Sequence, residues 1–279
     1  MAKRYYNLEK ETKTFLKKME ETRGVLPDAA GISRLNDYIV KRKGLNLILS
    51  TRNKVSQVFT GINTQRLQIA NNSTLQVKPS YEMVAWIRPR SVSSQRELIS
   101  KAVNNTTTYE FSLTQSLLNF TFRSSTGAVG VNTGNKAATA NAWNFFRFGR
   151  DASTDNIFLS RNNDTPTTAA QATQVVSTNS FCIGEWGDSG QFRPGDCDID
   201  SVGRWDRILT VDEYNFLYNS GNGVSFYEIL GYRPSLLNNM VSYWQLSERS
   251  GTRYDWWGTN HLNPNFTLLT TPGVIEKFY

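Results

Sequence analysis

Two rhythms of apolar residues divide the chain: up to about residue 44 they recur at three- and four-residue intervals, and beyond it they come in short alternating runs. In the first part Leu8, Phe15, Leu16 and Met19 share a face with Thr12, and Asn7 stands where a capping oxygen is useful, which predicts a short amphipathic helix ending near Gly24. After Pro27, a second helical pattern places Ile32, Leu35, Tyr38 and Ile39 on one face. Asp28 or Ser33 can cap it, and Lys41, Arg42 and Lys43 form a basic last turn before Gly44. Two helices of this length cannot enclose a core and must pack on something larger.

From there the chain reads as strands. Runs at residues 45–49, 55–59, 74–77, 82–87, 97–101, 109–114, 118–123, 128–131, 143–150, 156–160, 174–176, 180–184 and 196–205 are separated by Asn, Ser, Thr and Gly clusters. So many short strands with turn chemistry between them predict a sandwich or barrel rather than a parallel sheet. One further helix is expected over 210–220, with Thr210 as cap, Glu213 at capping-box spacing and Gly221 as terminator. The division that follows is a helical arm at 1–54, a sandwich at 55–235 and a C-terminal segment at 236–279.

Several of these runs carry recognisable motifs: Trp86 to Pro89, Leu98 to Lys101, Trp143 to Phe146, Phe181 to Gly184, and above all Asp200 to Glu213, with Arg207, Leu209, Thr210, Asp212 and Glu213, leading to Leu217, Tyr218, Asn219, Gly221 and Gly223. In order and content they resemble the laminin-G-like, concanavalin A-like jelly roll found in bacteriophage structural proteins. The resemblance implies a mainly β jelly-roll β-sandwich and a non-enzymatic virion structural protein, such as a capsid decoration, head fibre or tail-associated subunit, assembled in the host cytoplasm. It would be a homo-oligomer, joined to other virion proteins through Phe15, Leu16, Met19, Leu35, Ile39, Lys41, Arg42 and Lys43 of the arm. A stretch from Met240 through Trp244, Glu248, Gly251, Arg253 and Asp255 to Leu262 resembles the opening of such a domain, displaced to the end of the chain. An unpaired sheet edge is a liability, so residues 240–279 are expected to supply the missing strand, to their own sandwich or to a neighbour's.

Charge sharpens the picture of the arm. Of the net +7, residues 1–54 hold 13 Lys/Arg against 6 Asp/Glu, while the rest of the 279 residues balance at 18 against 18. A basic arm on a neutral body fits an acidic partner surface, or simply a lysine-rich solvated helix face; nothing in it has the motifs that read nucleic acid. The mean hydropathy of -0.46 and the lack of a long apolar run give no expectation of a membrane partner. The first residues hold no stretch of secretory-signal character, so export by that route is not expected. Cys182 and Cys197 are too few for a disulfide framework; free thiols or a single bridge remain the alternatives.

Candidate chemistry is sparse. One histidine, His261, leaves no triad or multi-histidine metal site. Asp196, Asp198 and Asp200 alternate along one strand and are expected on one face, where with Asp188 they could ligate calcium; no cofactor is otherwise required. The same run approximates the paired-acid pattern of retaining glucanases, but Gly203 stands where the third acid belongs. Sugar rings stack on exposed indoles, and Trp186, Trp256 and Trp257 are the candidates, with Trp86, Trp143, Trp205 and Trp244 expected in the core. A carbohydrate-binding adhesion module for host or mucus glycans is therefore the alternative function, and a glycoside hydrolase a third.

Overall fold

The computed structural model describes residues 55–273 apart from 63–64, 92–95, 103–108, 117–118, 126–129, 133–135, 138, 172–175, 177, 186–193 and 266–268. The arm residues named above, with Trp186 and Asp188, lie outside the described residues.

Two antiparallel sheets face each other. The first runs in the order β11 (Thr167–Ala170), β10 (Asn156–Arg161), β9 (Asn144–Asp151), β3 (Tyr81–Pro89), β13 (Asp196–Trp205), β1 (Val55–Thr60), β16 (Leu269–Pro272). The second runs β15 (Asn263–Pro264), β2 (Leu67–Ile69), β12 (Phe181–Ile183), β4 (Arg96–Ala102), β5 (Tyr109–Ser116), β6 (Asn119–Ser125), β7 (Gly130–Asn132), with β8 (Lys136–Ala137) also on β6. Their inner faces meet through Phe59, Met83, Ala85, Ile87, Ile99, Leu113, Phe146, Phe148, Phe181 and Ile199. This is the mainly β sandwich that the alternating runs predict.

A second apolar layer covers the outer face of the first sheet. Helices α1 (Val211–Tyr218) and α2 (Phe226–Tyr232) bury Val84, Trp86, Phe145, Trp205 and Tyr243 beneath Tyr214, Leu217, Phe226 and Ile229. Strand β3 is consequently buried on both faces, Met83 and Ala85 toward the other sheet and Val84 and Trp86 toward the helices. Thr210 and Glu213 form the expected capping box, and Asn219 in the left-handed region ends α1. Helix α2 was not foreseen, although Ser225 and Glu228 form a second capping box at the same spacing.

A corner locks this layer in place. The guanidinium of Arg207 donates to both carboxylate oxygens of Glu213 at 2.7 and 2.8 Å, and also to the carbonyls of Asn238 and Ser235. Beneath it Glu82, fully buried, accepts two hydrogen bonds from Arg147 and one from the Leu209 N–H. The run from Arg207 to Glu213 is thus a structural clasp that carries the chain off β13 and into α1.

The C-terminal segment pairs within its own chain. Strand β14 (Met240–Trp244) lies beside the second half of β13, where β1 occupies the first half. It sends Trp244, with Leu246 and Leu262 from the following turn, into the inter-sheet core, where Trp244 stacks on Phe181 at 5.2 Å. The turn is organised by Asp255, whose carboxylate accepts the N–H groups of Tyr243, Trp257, Gly258 and Asn260. Gly258 is required there, because a Cβ would stand 2.4 Å from that carboxylate.

Two local expectations are corrected. The run 74–77 is not a strand: Ser73–Leu75 is a 3-10 turn capped by Asn72, burying Leu75. The strand expected over 45–49 lies outside the described residues, as does all of the one expected over 174–176 except residue 176. The two-residue alternation of β13 breaks at Ser201, a β-bulge with φ of 39°. Asp198 and Asp200 therefore share the outer face with Gly203 and Trp205, while Ile199, Val202 and Arg204 point inward.

Candidate functional site

Much of the outer face of the first sheet is closed by the helical layer, which reaches as far as Tyr218, stacked 6.0 Å from both Trp86 and Phe145. Two residues further along the same strands, roughly 7 Å on, stand Arg88 of β3 and Trp143, just ahead of β9. Neither is covered in the same way: Trp143 is half-buried, and the Arg88 side chain is 28% exposed. The alternation that puts Trp86 into the core puts Arg88 on the same face beyond the end of the helices.

Asp198 of β13, directly across from Arg88, organises this end. Its carboxylate is 1% exposed and accepts Arg88 Nε at 2.8 Å on one oxygen and Arg90 Nη2 at 2.7 Å on the other. Arg88 also reaches Thr271 Oγ1 of β16 at 3.4 Å, and its guanidinium lies 5.1 Å from the centre of the Trp143 ring. The Arg90 backbone N–H is held by the Asp196 carbonyl, and Pro89 O accepts the N–H of exposed Asn141. Two guanidiniums are thereby fixed by one buried carboxylate beside an indole, with a net charge of +1 among the three groups. Charge-assisted bonds of this kind hold planar groups in orientation at small entropic cost.

The sequence candidates fall elsewhere or take other roles. The aspartate row does not gather into a metal cage: Asp198 is committed to the arginines and Asp200 accepts from Ser201 Oγ. Among the described residues no group of three or more acidic, histidine or cysteine side chains is placed to hold a metal. Trp257 is a core residue, 3% exposed, its indole N–H donating to Met240 O at 2.8 Å, and half-buried Trp256 packs beside Phe226. Trp257 thus fills the helical layer, directed inward by the Asp255 turn, while Trp256 packs against that layer in part. Trp86, Trp205 and Trp244 are buried as expected, and Trp143 is the one of the four that reaches the surface. Nothing marked it in the sequence, since it continues a strand pattern; the signal lay in Arg88, a charge two positions after a core tryptophan.

Other titratable groups are structural. His261 Nδ1 accepts the Asp255 N–H and its ring meets Tyr254 edge-on. Cys182 and Cys197 are free, buried thiols on different sheets, and burial pushes Cys182 up to about 12. Burial likewise raises Glu82 to about 7 against the opposing charge of Arg147.

Residues 61–214 match the family model of the concanavalin A-like lectin/glucanases superfamily. Among curated proteins none matches the chain in sequence. Two of the solved structures that share the fold show the likeness. One is a Bacteroides ovatus ATCC 8483 protein assigned provisionally to carbohydrate binding, with a TM-score of 0.57 at 13% identity over 78% of this chain and 60% of that one. The other is the heptameric SAP-like pentraxin of Limulus polyphemus, with a TM-score of 0.51 at 11% identity over 80% of this chain and 97% of that one. The chain thus spans about 60% of the length of the Bacteroides protein.

Proposed function

The chain belongs to the concanavalin A-like lectin/glucanase superfamily, and from that premise we propose that it is a non-catalytic carbohydrate-binding module whose binding surface is built on Trp143, Arg88 and Arg90. The observation that carries this reading is the end of the first sheet left open by the helical layer, where an indole and two guanidiniums are pre-oriented by a buried carboxylate. Sugar binding uses this combination: the apolar face of a pyranose packs on an aromatic ring while planar donors meet its oxygens. The provisional assignment of the Bacteroides ovatus protein to carbohydrate binding accords with it.

Two features argue against hydrolysis. The third acid of the glucanase pattern would sit at Gly203, where a Cβ would lie 2.5 Å from the Trp205 ring and 3.1 Å from Tyr243, beneath the helical layer. Asp198, in the leading position, is 1% exposed and has its two carboxylate oxygens committed to Arg88 and Arg90, so it is not free to meet a glycosidic bond. A role on a virion rests on the resemblance of the sandwich motifs to bacteriophage structural proteins, with the arm at 1–54 as the expected anchor; in such a particle the sandwich would be the displayed, sugar-contacting part.

Binding of the full chain to an array of host-surface and plant oligosaccharides tests the proposal. Retention of at least one glycan, weakened tenfold or more by Trp143→Ala with an unchanged urea midpoint, is expected. Retention unaffected by Trp143→Ala, or no retention at all, would overturn it.

A further inference from the structure

The geometry points to a carboxylated sugar as the ligand of this surface, an inference that rests on the carbohydrate-binding reading and specifies its substrate class. Arg88 spends Nε and Nη2 on Asp198 and Thr271, and Arg90 spends Nη2 on Asp198. The N–H groups of Arg88 Nη1 and of Arg90 Nε and Nη1 have no hydrogen-bond partner among the described residues, and the two side chains are 28% and 35% exposed. The carboxylate that fixes them is 1% exposed and so cannot itself meet a ligand. The groups that the two arginines leave uncommitted are all donors.

Charge gives the same answer. Asp198 neutralises one of the two guanidiniums, which leaves a surplus of +1 among the three groups. A neutral sugar could hydrogen-bond the free N–H groups but would leave that surplus unpaired. A sugar carboxylate satisfies both requirements, because its two oxygens match the fork of a guanidinium, and charge-assisted pairs of this geometry are about twice as strong as neutral ones. The indole beside Arg88 then takes the ring's C–H face, fixing the carboxylate in register with the arginines. Because both guanidiniums are already immobilised by Asp198, little side-chain entropy is lost on binding.

Calorimetric titration of the full chain at 150 mM salt tests this with a uronic probe, trigalacturonate, and a sialic probe, 3′-sialyllactose, each beside its carboxyl-reduced neutral counterpart. One acid is expected to bind at least tenfold tighter than its reduced form, and the preferred probe separates uronic from sialic recognition. Arg90→Lys keeps the charge beside Asp198 and hence the fold, but removes the fork; it is expected to cut the acid preference fivefold or more at an unchanged urea midpoint. Equal affinity for acid and reduced sugars, or an undiminished preference in Arg90→Lys, would overturn the carboxylate inference while leaving sugar binding standing. A sulfated galactose bound as tightly as the acid would also overturn it, marking a general anion site. Binding of no sugar in any form would instead remove the underlying proposal.

Discussion

Replacing Glu213 with Gln removes one charge from the clasp that joins α1 to the turn ahead of β14. In the wild type both carboxylate oxygens accept from Arg207, and one also accepts the Thr210 N–H at 3.0 Å. Burial alone would raise the Glu213 pKa, but the Arg207 hydrogen bonds and the Thr210 backbone bond override it and lower the value from 4.5 to about 2. A drop of that size corresponds to about 3.4 kcal/mol at 1.36 kcal/mol per unit. Arg207 retains access to water at 21% exposure, and screening brings the expected contribution to about 2 kcal/mol. Because the folded-state value is depressed, this stability is present above pH 4.5 and is lost as the pH falls through about 2. Urea unfolding should therefore find Glu213→Gln about 2 kcal/mol less stable at pH 7, with the gap falling by roughly half at pH 3. A variant as stable as the wild type at pH 7, or a gap that does not change with pH, would refute the electrostatic account of the clasp.

Three further substitutions probe the layers. Gly203→Ala forces a methyl into the Trp205 ring and should cost about 3 kcal/mol in urea unfolding, the upper range for overpacking; a neutral result would mean that the helical layer is looser than described. Trp244→Ala removes the C-terminal segment's largest contribution to the inter-sheet core and should cost about 4 kcal/mol by the same assay. A loss below about 1 kcal/mol would show that the segment is not needed to complete the sandwich. Glu82 titrates in the opposite sense to Glu213: its raised value means that its contribution is fully present below pH 4.5 and lost as the pH rises through about 7. Stability profiles between pH 5 and 8 should thus slope downward for the wild type relative to Glu82→Gln, and parallel profiles would contradict the burial argument.

The layer architecture was legible because alternation and capping are local properties. Glu213 three residues after Thr210 announced α1, and Ser225 with Glu228 would have announced α2 by the same rule. The bulge at Ser201 was not legible, since a serine at positive φ carries no compositional mark, and one extra residue is enough to exchange the faces of everything after it. The site was hidden for a different reason. Arg88, Trp143, Asp198 and Thr271 come from four separated stretches, brought together by the pairing of β3 with β9 and β13 and of β1 with β16. The burial of Trp257 was hidden because its turn-like context suggests exposure, whereas Asp255 gathers four backbone N–H groups and turns that ring into the core.

Chemical-shift mapping of the full chain with a saturating oligosaccharide selected from the array tests the central claim most directly. The account predicts that the Trp143 indole N–H and the Arg88 and Arg90 side-chain resonances shift together, while those of Trp86, Trp205, Trp244 and Trp257 stay in place. Shifts centred on another face of the sandwich, with Trp143 unmoved, would contradict it.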